Sequence, residues 1–138
     1  MGSEMCIRDR LKGKEVELPK GHSFLDKDGH ARHAVRIRWF DADAITYQAA
    51  FLGPEKARSH IPEDPVGADH IIQYSHDDPP VFFGHYWLDG GPELLAPNVA
   101  CLDYSVASEG GGKLVAYRWD GEQRLDNGKF VFVDRKAA

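Results

Sequence analysis

Gly84-His85 is the pair whose residue types and placement best support chemistry in this chain. It follows Pro80-Val81-Phe82-Phe83, an apolar run that reads as a strand buried on both faces, so the imidazole would stand at the rim of a sheet. An imidazole there can ligate a metal or exchange a proton near neutral pH. The preceding glycine leaves room for backbone or an ion to approach. A lone histidine after a strand is more often a structural residue than a ligand. Arg36 and Arg38 alternate with Val35, Ile37 and Trp39, and such a pair either faces a phosphate or forms a solvated strand face. Asp26-Lys27-Asp28-Gly29 resembles the start of a calcium loop, but the later ligands, notably the closing glutamate, are missing, which leaves a polar turn. His60, His70 and His76 lack the spacing of a helical ligand pair and read as surface histidines. Gly110-Gly111-Gly112 could be taken for a phosphate cradle. A strand-like sequel, Leu114-Val115-Ala116-Tyr117, makes it a hairpin connection instead.

The elements that must position these residues are mostly strands. Val16 and Leu18 alternate with Glu15 and Glu17 within residues 11–19, predicting a short edge strand stopped by Pro19. A turn follows over residues 21–29, then a strand over 34–40. Residues 41–79 carry Pro54, Pro62, Pro65 and Pro79 around a short helix near 44–52 and read as a long, irregular excursion. Excursions of that length usually serve function or pack against a larger assembly. Four apolar runs, residues 81–87, 98–106, 113–119 and 130–133, predict strands, with a turn at Trp119-Asp120-Gly121-Glu122. The expected class is α/β in the broad sense, an α+β, β-rich domain.

Three of these stretches together resemble a known family. Pro80-Val81-Phe82-Phe83-Gly84-His85-Tyr86-Trp87, Asn98-Val99-Ala100-Cys101-Leu102-Asp103-Tyr104-Ser105-Val106 and Gly111-Gly112-Lys113-Leu114-Val115-Ala116-Tyr117-Arg118-Trp119 are similar to the carboxy-terminal part of calcineurin-like metallophosphoesterases. The nearest likeness is to the bacterial group related to diadenosine tetraphosphatases and serine/threonine protein phosphatases. The stretch from Leu18 through Gly21-His22-Ser23-Phe24 to Arg36-Ile37-Arg38-Trp39 is similar to the insert that precedes the Gly-His strand. The resemblance covers about residues 11–133 and is most specific at Gly-His and Gly-Gly-Lys-Leu. It implies a β-sandwich of which mainly the second sheet is present. It also implies His85 as a ligand in a centre of two divalent ions, with Mn, Fe or Zn admissible. Where many relatives carry a second histidine this chain has Trp87, which cannot coordinate, as in the protein-phosphatase branch. Asp103 is expected to orient a ligand or hold the adjoining loop. Lys113, Arg36 and Arg38 are weaker candidates for phosphate contact. The family's Gly-Asp-x-x-Asp and Gly-Asn-His motifs do not occur between Leu11 and Ala138, and Asp41-Ala42-Asp43 does not replace them. The implied parent hydrolyses a phosphorylated small molecule or phosphoprotein; the present chain, with one ligand, is expected to be inactive alone.

Composition bounds these readings. With 138 residues the chain is long enough to bury a core, and 17 basic against 22 acidic residues give a net charge of -5. That balance, with no basic run, gives no grip on nucleic acid or on an anionic membrane. Cys6 and Cys101 are far apart, which excludes a disulfide scaffold and fits a reducing cytoplasm. No apolar run is long enough for a bilayer. Residues 1–10 have no periodicity, and Met5-Cys6-Ile7-Arg8-Asp9-Arg10 back-translates to ATG-TGT-ATA-AGA-GAC-AGG, similar to a transposon mosaic end used in sequencing libraries. The expectation is a non-native leader over 1–10 and native sequence over 11–138. The rival expectation is a non-enzymatic, β-rich binding domain in which Trp39, Trp87 and Trp119 form a core or a contact patch.

Overall fold

The computed structural model describes residues 13–26, 28–70 and 74–136. The leader read at residues 1–10 and Lys27 of the calcium-loop-like turn lie outside these. Strand accounts for 31% and helix for 12% of the structure, which makes the class mixed α+β, strand-rich and built from small sheets. The chain divides into two compact units, Met1–Tyr74 and Ser75–Ala138, so the border falls inside the 41–79 excursion.

In the first unit, β1 (Lys14–Glu17) pairs antiparallel with β4 (Ala34–Ile37), Val16 opposite Val35. Alternation sets the faces: Val16, Val35 and Ile37 are buried while Glu15 and Glu17 face solvent. The strand predicted over 34–40 stops at Ile37, because the Trp39 N–H turns back to the Ile37 carbonyl at 2.9 Å. β2 (Phe24–Leu25) and β3 (Ala31–Arg32) form a hairpin. The excursion holds two one-turn helices, α1 (Tyr47–Ala50) and α2 (Glu55–Arg58). Thr46 caps α1, its hydroxyl oxygen accepting from the Ala49 N–H at 3.1 Å. The Arg58 guanidinium closes the other end, donating to the carbonyls of Gln48 at 2.8 Å and Phe51 at 3.3 Å, which the helix itself leaves unpaired. These short helices persist because Tyr47, Ala50, Phe51, Ile61 and Val66 join Val16, Val35 and Ile37 in one core. Each large side chain buried there contributes about 1.5–3 kcal/mol.

The second unit contains two three-stranded sheets. In the first, β5 (Val81–Phe83) lies parallel to β7 (Val99–Cys101), and β6 (Leu94–Ala96) pairs antiparallel with β7 on its other side. The run expected to be covered on both faces is thus an edge strand, with Val81 and Phe82 half-buried. The covered strand is β7, whose three residues have no exposed surface. In the second sheet, β9 (Lys113–Tyr117) is flanked by β8 (Asp103–Tyr104) and β10 (Phe130–Asp134), all antiparallel. The strand predicted over 98–106 is two strands in different sheets, split where the Leu102 N–H bonds the Phe83 carbonyl at 2.9 Å. The glycine triplet joins β8 to β9 as a hairpin connection. A single turn of 3₁₀ helix, Asn127–Lys129, leads into β10.

Candidate functional site

The site is built where β5 ends. After Phe83 the chain cannot run straight on, because Tyr86 is anchored in the core with its ring 4.8 Å from that of Phe83. The residues on either side of that anchor take left-handed backbone, His85 at φ 70° and Trp87 at φ 51°. For a residue other than glycine such a conformation costs of order 1–3 kcal/mol and persists only where the surroundings impose it. His85 itself is exposed.

Asp103, in β8, imposes it. Its carboxylate accepts from the Trp87 N–H at 3.3 Å and from the Ser105 N–H at 3.1 Å, and its carbonyl accepts from the Leu88 N–H at 3.1 Å. Ser105 is buried and also left-handed, at φ 61°, and its hydroxyl donates to the Leu88 carbonyl at 3.0 Å. Behind Ser105 lies Gly112, where an added Cβ would fall into the Ser105 carbonyl. Three strained residues, one carboxylate and one hydroxyl therefore form a single knot that presents His85 at its surface. Nearby, burial pushes the Tyr104 phenol up, so it stays neutral while its oxygen accepts from the Glu93 N–H at 3.1 Å.

Of the residues singled out in the sequence, the structure brings the His85 loop and Asp103 together. Lys113 is engaged elsewhere, 2.7 Å from the Asp134 carboxylate and over the Phe132 ring. Arg36 and Arg38 belong to the other unit; both are half-buried, and Arg38 pairs with Asp41 at 3.5 Å and lies over Phe40. His60 and His76 are exposed and His70 half-buried. Ser105 and the close approach at Gly112 were missed by sequence reading. The signal for the second was present in the triplet, whose third glycine serves packing rather than turning.

The described residues do not complete a dinuclear centre by themselves. His85 could give one donor. Among the described residues the sole group of three or more potential ligands is Asp26, Asp28 and His30, on the β2–β3 hairpin. There the Asp26 carboxylate already accepts from the His30 and Asp28 N–H groups, each at 2.9 Å, and from the Arg32 guanidinium at 2.7 Å. The His30 N–H, against some opposing desolvation, and the Arg32 bond hold its carboxyl below the ordinary range. That group is a satisfied polar turn. An open groove of about 620 Å³ along Leu94–Ala96 and residues 124–127 is lined by neither His85 nor Asp103. No helix among the described residues is long and apolar enough to cross a membrane. Comparison with protein-family models, curated proteins and solved structures finds no match.

Proposed function

We propose that this chain is the carboxy-terminal part of a calcineurin-like metallophosphoesterase and contributes His85 as a metal ligand. The observation that supports this is the His85 knot: an exposed imidazole held on strained backbone at the end of a strand, the kind of strain that collects at functional sites. On this reading the β5–β7–β6 and β8–β9–β10 sheets belong to the parental sandwich. Two divalent ions, Mn, Fe or Zn, would supply a bound hydroxide and neutralise phosphate charge in the parent. From this chain come His85 and the Asp103 carboxylate that holds its loop. The substrate is a phosphorylated small molecule or phosphoprotein. Cys101, a buried free thiol, suits a cytoplasmic setting.

Reading the source DNA upstream of Leu11 tests the proposal: Asp-x-His, Gly-Asp-x-x-Asp and Gly-Asn-His codons are expected, and their absence from an intact upstream frame overturns it. In the longer polypeptide, His85→Ala should abolish metal-dependent phosphatase activity; unchanged turnover removes His85 as a ligand. One observation favours a second reading, a non-enzymatic binding domain. Leu114, Val131 and Val133 expose an apolar sheet face, at 62%, 58% and 66% of their surface. Retention of a binding partner by the full chain after His85→Ala, lost on Val131→Lys, would favour that reading over hydrolysis.

A further inference from the structure

We infer that Ser105 is a positioning residue for His85, a role that rests on reading His85 as the reactive side chain. The knot needs two clasps, because the His85–Leu88 loop has two edges. Asp103 takes one edge, accepting from the Trp87 and Leu88 N–H groups through its side chain and backbone. Nothing in that contact restrains the Leu88 carbonyl. Ser105 takes this second edge, since its hydroxyl is the donor that reaches the carbonyl. It does so from the left-handed conformation, in which its N–H also meets the Asp103 carboxylate. That conformation is in turn fixed from behind. The Ser105 carbonyl accepts from the Ser108 N–H at 2.8 Å and rests against Gly112, where any side chain would collide with it. The buried hydroxyl has no solvent alternative, so the bond to Leu88 is the way it is satisfied. Ser105 thus transmits the packing of the β8–β9 connection to the loop that carries the imidazole, without itself touching a substrate.

The experiment is amide hydrogen exchange, read by NMR on the full chain, for Ser105→Ala and Ser105→Gly. Ser105→Ala removes the hydroxyl and keeps the strained backbone; Ser105→Gly removes the hydroxyl and relieves the strain. Both are expected to speed exchange at Trp87 and Leu88 roughly tenfold, the equivalent of one lost hydrogen bond. Exchange across Lys113–Tyr117 should rise slightly in Ser105→Ala and return to the parental rate in Ser105→Gly. A residue that served stability alone would move the loop and the strand together, so restoration of the Leu88 rate in Ser105→Gly overturns the proposal, as does no change at Leu88 in either variant. The backbone coupling constant of His85, which reports φ, should leave its left-handed value in both variants and stay there in Ser108→Ala. If His85→Ala leaves turnover of the longer polypeptide unchanged while these exchange results hold, the clasp stands and the phosphoesterase reading fails.

Discussion

Among the aspartates that organise turns in this protein, Asp26 and Asp103 differ in what they hold. Asp26, in the β2–β3 hairpin, gathers two N–H groups and one guanidinium, and the left-handed position of that turn is Gly29, at φ 81°. Glycine adopts that backbone without steric cost, so the carboxylate finishes a turn the chain already favours. Asp103 also gathers two N–H groups, but the left-handed positions around it are His85, Trp87 and Ser105. There the carboxylate works against the local preference of three residues. A turn made for connection places glycine where φ is positive. A turn that keeps a histidine and a tryptophan there is held by contacts from elsewhere in the chain rather than by local preference.

The contrast can be broken in order of effect. Gly112→Ala should be the most damaging, costing more than about 3 kcal/mol, because its methyl group meets backbone that cannot rotate away; urea unfolding followed by tryptophan fluorescence measures it. Asp103→Ala comes next, at about 2–3 kcal/mol, as two N–H groups lose their acceptor while the strain remains. Asp26→Ala should cost less than that in the same assay, and an equal or greater loss would erase the distinction between the two turns. His85→Gly should stabilise the protein by about 0.5–1 kcal/mol, since an exposed side chain is removed and left-handed backbone is relieved. A destabilised His85→Gly variant would mean that the imidazole is there for packing.

The smallest effect separates a third turn from both. Glu122 accepts from Lys129 at 2.8 Å and from the Tyr117 hydroxyl at 2.8 Å, and the Lys129 ammonium foremost holds its carboxyl at about 2, below an ordinary 4.5. Because the folded value lies below the unfolded one, this contribution to stability is complete above pH about 4.5 and disappears as the pH falls toward about 2. The acid limb of the pH–stability curve should flatten in Lys129→Met; an unchanged limb would assign the acid sensitivity to other carboxylates.

Alternation made the strands at β1 and β4 legible, because burying one face selects every second residue, and Val16 and Val35 are buried as that pattern requires, while reading apolar runs as strands found β9 and β10. It misplaced the cover on β5. An apolar run reads the same whether its strand is central or at an edge, and only the pairing order puts β7 in the middle. It also joined β7 to β8, since only the pairing partners separate them, β5 and β6 for the first and β9 for the second. Of the candidate site, His85 and Asp103 could be named from the sequence by residue type and motif, and so could the glycine that precedes the histidine.

What the sequence determined by itself is composition, the strand-rich class and the identity of the side chains available for chemistry, because these follow from local pattern. The tertiary structure decided that His85 stands on strained backbone, that Ser105 and Asp103 clasp its loop and that Gly112 must remain bare. Left-handed backbone at His85, Trp87 and Ser105 opposes local preference, and only contacts between distant segments could hold it there.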